Sequence, residues 1–171
     1  QPRSGGGVWR SPGQGGNDTA VTGPRFRGSS WSQVSFLLMQ QRPLGSTGLW
    51  VSRLALGTMT WGRDTDEHEA RDQWKTFLEA GGSFIATADV YAAGASEELI
   101  GMLLNETHSR DKVVIATKAV SRPRTQRRFD ASRGHLLASL EGSLNRLDTD
   151  YIDVWYLHAW DPWTPLDETL A

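Results

Sequence analysis

A short apolar segment followed by an amphipathic segment occurs four times in the last two thirds of the chain. The apolar segments begin near residues 54, 84, 113 and 152, so successive repeats are about 30, 29 and 39 residues apart. This is the length of a strand–helix–strand unit. Because each crossover helix returns the chain to start the next strand in the same direction, the spacing predicts an α/β fold with a parallel sheet.

Apolar stripes and polar starts mark the helices of these units. Residues 70–78 carry an apolar stripe at helical spacing, and Ser96 is expected to cap a second helix. Ser132 precedes a third helix, and a fourth begins at Leu166. The inner face of the third helix is expected to carry Leu136, Leu137, Leu140, Leu144 and Leu147. The predicted strands cover residues 54–58, 84–88, 113–116 and 152–157, after two short strands within 42–52.

Residues 1–38 differ in composition from the rest of the chain. They contain 8 Gly, 6 Ser and 3 Pro and show no sustained periodicity. This predicts a disordered leader before a folded body at 39–171. The leader is either a basic arm or transit peptide, or sequence outside the natural domain; Met39, which stands where the ordered pattern begins, favours the second interpretation.

Composition excludes several classes of protein. The chain of 171 residues has no cysteine, which excludes disulfide scaffolds, cysteine-bearing zinc sites and thiol catalysis. A net charge of -2 argues against broad nucleic-acid binding, since phosphate contacts need a basic face. The apolar runs are far shorter than the ~20 residues of a membrane span. We therefore expect no metal site, no nucleic-acid partner and no membrane association.

The first strand lacks the common phosphate-binding loops. Gly57 and Gly62 are five positions apart, so the G-x-G-x-x-G fingerprint is absent, and no G-x-x-x-x-G-K-[ST] loop occurs in the chain. Spacing alone leaves two architectures open: a doubly wound open sheet, or part of an eight-fold barrel.

Chemically capable side chains follow each predicted strand. They are Thr58 after the first strand, Asp89 and Tyr91 after the second, Lys118 after the third and His158 after the fourth. Ligands of parallel sheets bind at the carboxyl ends of the strands. A tyrosine, a lysine and a histidine at one rim indicate acid catalysis at a carbonyl group. Any one of them alone is more typical of a packing residue.

Four motifs, in the same order, resemble the aldo-keto reductase family. They are RPLGSTGLWVSRLALGTMTWG, then FIATADVY with SEELIG, then VVIATK, then DYIDVWYLH with the DP and TPLDET that follow it. The resemblance covers residues 39–171 and is closest to the potassium-channel-β-like bacterial branch. It implies a (β/α)8 TIM-barrel type fold, of which a β-hairpin and about the first four βα units are present. It also implies NADP(H)-dependent reduction of a small carbonyl substrate, an aldehyde or ketone, to an alcohol in the cytoplasm.

The resemblance assigns roles to particular residues. Tyr91 would protonate the carbonyl oxygen, Lys118 would make the phenol more acidic, and His158 would orient the carbonyl and stabilise its developing charge. The cofactor would bind near its nicotinamide end against Gly57, Thr58 and Met59. Trp61 would stand near the substrate mouth. We expect Arg124, Arg127 and Arg128 to form a solvated loop patch rather than a site for the cofactor's 2′-phosphate.

The chain departs from the family pattern at position 86. The family has an aspartate five positions before the tyrosine, where this chain has Ala86. The family aspartate pairs with the lysine, so Lys118 is expected to lack that partner. Asp89 is a poor substitute, because strand alternation places positions 86 and 89 on opposite faces. Either the chain is a natural variant that keeps weak activity, or its site is degraded or deliberately inactivated.

Length is the second departure. The 133 residues of the body are about half of the ~250 that a complete barrel needs. A fragment is favoured; self-association through the open barrel edges and poor folding are the alternatives. Two functions remain open: a reductase impaired by truncation and by Ala86, or a non-catalytic cofactor-sensing or interaction protein on the same scaffold.

Overall fold

The computed structural model describes residues 39–171, so the predicted disordered leader lies outside the described residues. The elements follow one another in the order β1 (Gln41–Pro43), β2 (Trp50–Ser52), β3 (Ala55–Gly57), α1 (Glu67–Glu79), β4 (Phe84–Ala86), α2 (Ala95–Thr107), β5 (Val114–Ala119), α3 (Arg133–Leu147), β6 (Val154–Leu157) and α4 (Leu166–Thr169). Short 3₁₀ turns at Tyr91–Gly94 and Arg110–Lys112 precede α2 and β5.

The strands form two sheets. β1 and β2 pair antiparallel as a hairpin, with Arg42 opposite Val51. The other four strands pair parallel in the order β3-β4-β5-β6, with Leu56, Ile85 and Ile115 side by side across the first three. The predicted α/β architecture, a hairpin followed by four βα strands of the TIM-barrel type, is confirmed.

Helix α1 begins at a capped N-terminus. Asp66 accepts a hydrogen bond from the backbone N–H of Glu69 at 2.9 Å, and Glu69 reaches back to the backbone of Asp66, which completes a capping box. Ala70 and Trp74 on the apolar stripe are buried. The stripe therefore packs α1 on the sheet, as its spacing predicts.

The main core lies between the sheet and helices α1 to α3. Its fully buried side chains include Trp61, Trp74, Ile85, Ile100, Leu103, Ile115 and Leu147. Each aliphatic side chain buried here contributes roughly 1.5–3 kcal/mol to stability. Helices α2 and α3 approach closely at Gly101, where a Cβ atom would lie 2.5 Å from the carbonyl oxygen of Arg146. Only glycine fits this crossing without displacing α3.

Two details of the helices differ from the sequence predictions. Ser96 does not cap α2: the helix begins at Ala95, and its N-cap is Gly94, in the left-handed region with φ of 106°. The Ser96 hydroxyl instead points into the core. Leu137 was expected on the inner face of α3 but is 42% exposed, since the buried stripe of α3 is narrower than the leucine repeat. Ser132 directly precedes α3, as predicted, although its side chain makes no capping hydrogen bond.

Apolar side chains remain exposed along β6 and the segment after it. Trp155, Tyr156 and Leu157 of β6 are each more than a third exposed, and Trp160 and Trp163 are more exposed still. Within residues 39–171, β6 and β3 each pair on one side only. No helix in this part of the chain is long and apolar enough to cross a membrane.

Candidate active site

Backbone hydrogen bonds continue beyond the strand ends and hold the rim segments together. The N–H of Thr87 donates to Ala116 O at 2.9 Å, and the N–H of Asp89 donates to Lys118 O at 3.1 Å. The N–H of His158 donates to Ala119 O at 2.9 Å. The segments that carry the predicted catalytic residues are therefore fixed to one another at the carboxyl ends of β4, β5 and β6.

Lys118 and Tyr91 are in direct contact. The ammonium of Lys118 donates hydrogen bonds to Tyr91 Oη at 3.0 Å and to the carbonyl oxygen of Thr87 at 2.5 Å. Its Nζ atom lies 4.6 Å from the centroid of the Tyr91 ring. These contacts place the Lys118 ammonium beside the phenol oxygen of Tyr91.

His158 completes the group. Its ring meets the Tyr91 ring edge to face, with centroids 5.9 Å apart and planes at 81°. Burial of the imidazole, followed by the charge of Lys118, lowers the pKa of His158 below its ordinary value, so the ring is neutral at pH 7. Its buried Nδ1 atom has no hydrogen-bond partner among the described residues. A neutral imidazole can donate an N–H to a substrate oxygen.

The loop that presents Tyr91 has an unusual backbone. Ala92 and Ala93 both adopt left-handed conformations, with φ of 49° and 58°. Non-glycine residues in this region cost of order 1 kcal/mol each and persist where the surroundings determine them. The turn is closed by the N–H of Tyr91 donating to Ala88 O at 3.1 Å. Nothing in the residue types of Ala92 or Ala93 signals this conformation.

The three residues expected to face the cofactor have different surroundings. Gly57 ends β3, and nothing lies within 4 Å of the position where a Cβ atom would stand. Met59 is 56% exposed. Thr58 is fully buried: its hydroxyl donates to Ala86 O at 3.3 Å and accepts from Ser96 Oγ at 2.8 Å. Gly57 and Met59 therefore present an accessible surface at the rim, while Thr58 ties the end of β3 to α2.

The resemblance to the family placed Trp61 near the substrate mouth, but the structure buries this residue. It is fully buried, its Nε1 donates to Gln73 Oε1 at 2.9 Å, and its ring centroid lies 6.4 Å from that of Trp74. The indole is buried against α1 because this helix provides both an aromatic neighbour and a hydrogen-bond acceptor.

Arg127 lies on the exposed loop after β5 together with Arg124 and Arg128, as predicted, but its guanidinium also makes contacts within the chain. Its guanidinium donates to Asp161 Oδ2 at 2.8 Å and to Thr164 Oγ1 at 2.7 Å, and it lies 3.3 Å from Asp130. Burial raises the pKa of Asp161, but hydrogen bonds from Thr164, the Ala131 and Trp163 backbones and Arg127 outweigh it and hold this pKa well below the usual range. The pair joins the loop after β5 to the loop after β6.

No carboxylate forms an ion pair with Lys118 within residues 39–171, in keeping with Ala86 at the departure from the family pattern. Asp89 faces a different environment. Its burial, followed by the nearby charge of Glu97, raises the pKa of Asp89 to about 6. Among these residues there is also no cluster of three or more His, Asp or Glu able to hold a metal ion.

Sequence reasoning missed the buried polar residues of the first turn of α2. Ser96 donates to Thr58 O at 2.9 Å and lies 3.1 Å from Thr87 Oγ1. Glu97 is fully buried against Thr117 and Arg146. Both are polar residues at a helix start, where caps and dipole effects are the ordinary explanation. Their long-range partners leave no local signal.

Two curated proteins have sequences similar to this chain. Aldo-keto reductase YhdN of Bacillus subtilis (strain 168) is 36% identical over 137 residues, and the match covers 77% of this chain and 41% of that protein. A protein of Oryza sativa subsp. japonica named "Probable voltage-gated potassium channel subunit beta" is 39% identical over 134 residues, with the same shares covered. The chain thus spans less than half the length of these relatives.

A solved structure gives the same result. The holo form of aldo-keto reductase AKR11C1 from Bacillus halodurans superposes with a TM-score of 0.68 at 36% identity, over 77% of this chain and 44% of that one. The sequence model of the aldo/keto reductase family matches residues 53–171, which hold every residue of the rim described above. This chain belongs to the aldo/keto reductase family.

Proposed function

We propose that this chain carries the catalytic rim of a cytoplasmic, NADP(H)-dependent reductase that converts a small aldehyde or ketone to an alcohol. The observation that carries the proposal is the 3.0 Å contact between Lys118 Nζ and Tyr91 Oη, with a neutral His158 ring against Tyr91. Family membership supports carbonyl reduction in general. A further relative, from Aspergillus parasiticus and 32% identical, is named norsolorinic acid reductase A.

The residues of the rim fit a nicotinamide cofactor. Gly57 leaves open space for a flat ring beside the end of β3, and the exposed thioether side chain of Met59 offers it an apolar surface. These two residues would hold the nicotinamide end. The cofactor supplies the hydride, while the protein supplies orientation and electrostatics.

The proton step follows from the contacts of Tyr91. As negative charge develops on the carbonyl oxygen, the Tyr91 O–H delivers its proton there. Lys118 donates to the same Tyr91 oxygen at 3.0 Å and so stabilises the phenolate that remains. A general acid placed in this way contributes about 10²–10⁴-fold to the rate. The neutral His158 ring would donate an N–H to the substrate oxygen and orient it.

A specific observation favours a second function. Ala86 provides no carboxylate for Lys118. A non-catalytic cofactor sensor or interaction protein would tolerate this loss. The rice relative, by its printed name a channel subunit, agrees with this alternative.

One experiment separates the two functions. Residues 39–171 are joined to the C-terminal half of the Bacillus subtilis relative, and the chimera is tested with NADPH, labelled with deuterium at C4, and 4-nitrobenzaldehyde. Appearance of deuterium in the alcohol supports the reductase. NADPH binding, seen as a change in cofactor fluorescence, without deuterium transfer supports the sensor. Absence of both, in a chimera that unfolds cooperatively, overturns the cofactor-dependent proposals.

A further inference from the structure

Glu97 is a fully buried carboxylate in the first turn of α2. Its Oε1 accepts a hydrogen bond from Thr117 Oγ1 at 2.6 Å, and its Oε2 accepts one from Arg146 Nε at 2.8 Å. Three elements, α2, β5 and α3, therefore meet at one side chain. A buried ion is costly unless it is paired and hydrogen-bonded, so these contacts determine where Glu97 lies.

The contact with β5 is made next to Lys118. Successive side chains of a strand point to opposite faces, so Thr117 faces the helices while Lys118 faces the other way. Lys118 there reaches Tyr91 Oη at 3.0 Å. The Glu97–Thr117 hydrogen bond therefore holds the β5 backbone on the helix-facing side of the sheet. Lys118, the next residue of β5, places its ammonium on the opposite side.

The contact with α3 bears on the loop of Tyr91. The methylenes of Arg146 pack on Gly94, where a Cβ atom would lie 2.7 Å from Arg146 Cδ. Gly94 ends the 3₁₀ turn that starts at Tyr91. Because Glu97 binds the guanidinium of the same arginine, its carboxylate fixes the surface on which this turn rests.

We propose that Glu97 is a positioning residue that sets the distance between Lys118 Nζ and Tyr91 Oη. It does so through Thr117 on the one side and through Arg146 and Gly94 on the other. The inference rests on the proposed roles of Tyr91 and Lys118, but its test needs no turnover. The influence of Glu97 on this loop is also electrostatic, since its charge adds to burial in raising the pKa of Asp89.

The test uses His158 as a reporter in the chain itself. The pKa of His158 is lowered by burial and then by the charge of Lys118, so it responds when Lys118 moves. Two matched variants are compared by NMR titration of the imidazole, assigned by its loss in His158→Asn. Thr117→Val removes the hydroxyl that binds Glu97, and Thr117→Ser retains it.

We expect the His158 titration midpoint to rise by about 0.5 pH units in Thr117→Val, the size expected when a nearby charge moves by a few ångströms at a half-buried site. Thr117→Ser should match the wild type. So should Glu106→Gln, on the same helix as Glu97, which breaks the exposed ion pair between Glu106 and Arg71 of α1. A midpoint in Thr117→Val equal to that of Thr117→Ser would overturn the proposal and leave Glu97 a purely structural role.

A second variant keeps the proposal testable should Thr117→Val not fold. Glu97→Asp retains the charge for Arg146 but shortens the side chain by one methylene, which draws it away from Thr117. A raised His158 midpoint in Glu97→Asp supports the proposal, and an unchanged midpoint in a folded variant overturns it. Urea denaturation of each variant measures the loss of stability separately from the shift.

Discussion

The ammonium nitrogen of Lys118 lies 3.0 Å from the phenol oxygen of Tyr91, although the two residues belong to different strand connections. Lys118 stands on β5, and Tyr91 stands in the turn after β4. The carbonyl oxygen of Thr87 provides the other hydrogen-bond acceptor for the ammonium. The acid pair is thus assembled in the absence of a carboxylate at position 86, and within residues 39–171 the hydrogen bonds of the ammonium go to neutral oxygens.

Restoring that carboxylate should increase reductase activity. In the chimera described above, Ala86→Asp should raise kcat about tenfold to a thousandfold, or roughly 1.4 to 4 kcal/mol of barrier, because a paired Lys118 is held more firmly as an ammonium beside Tyr91. Steady-state turnover of 4-nitrobenzaldehyde measures the gain. Ala86→Asn, which has the same shape without the charge, is the control. Equal kcat in the aspartate and asparagine variants would show that the carboxylate is dispensable here.

Removing the Lys118 charge should raise the pKa of His158. The charge of Lys118 acts with burial to keep the imidazole neutral, so Lys118→Met relieves one of the two causes. An NMR titration of the imidazole should show a higher midpoint than in the wild type. Lys112→Met, which removes an exposed charge from the turn before β5, should leave the midpoint unchanged. A wild-type midpoint in Lys118→Met would mean that the two side chains lie farther apart than described.

Asp89 should make the protein less stable as the pH rises. Its folded-state pKa of about 6 lies above the ordinary value of 3.8, so the stability it contributes is complete below about pH 4 and is lost as the pH rises through 6. Asp89→Asn removes this loss. Between pH 4 and pH 7.5, urea denaturation should show the variant gaining about 1–2 kcal/mol on the wild type, after allowance for solvent screening. Parallel pH profiles of the wild type and Asp89→Asn would contradict the assignment; Asp111→Asn, at an exposed position, is the control.

Asp161 should stabilise the protein at neutral pH. Its buried carboxylate accepts hydrogen bonds from Arg127 and Thr164 and from the Ala131 and Trp163 backbones. Asp161→Asn replaces one carboxylate oxygen, a hydrogen-bond acceptor, with an amide NH2 group that faces a donor. The free energy of unfolding should fall by about 2–3 kcal/mol. Because the folded-state pKa is depressed, this stability is present above about pH 4 and is lost as the pH falls below it.

Thermal denaturation of Asp161→Asn measures the loss of stability, with Asp64→Asn as the control. Asp64 is an exposed aspartate that forms an ion pair with Arg63. Equal melting temperatures would refute a joining role for Asp161.

The parts of the fold that the sequence predicted are those set by local periodicity. The apolar stripe that includes Ala70 and Trp74 determines the position of α1 from a few neighbouring residues. The rim residues Tyr91 and Lys118 were predictable because every parallel strand ends at the same edge of a sheet. Local pattern and topology were sufficient for both.

The parts that were missed depend on distant partners. Trp61 is buried because two residues of the following helix contact it. Gln73 accepts a hydrogen bond from its indole N–H, and Trp74 packs against its ring. The contact of the exposed Arg127 with Asp161 was missed because the two residues are 34 positions apart. Composition and local spacing do not encode contacts between distant residues, so a charge that forms an ion pair and one that does not look alike in sequence.

In the proposed reaction Tyr91 delivers the proton to the carbonyl oxygen, and the variant Tyr91→Phe tests this role. The variant removes only the phenol oxygen, so NADPH binding by the chimera should be unchanged. Its kcat for 4-nitrobenzaldehyde should fall at least about a hundredfold, the lower bound for loss of a general acid. Tyr151→Phe, which alters a tyrosine packed on Arg110 away from the rim, should retain wild-type kcat. A Tyr91→Phe chimera that turns over as fast as Tyr151→Phe would show that Tyr91 does not deliver the proton.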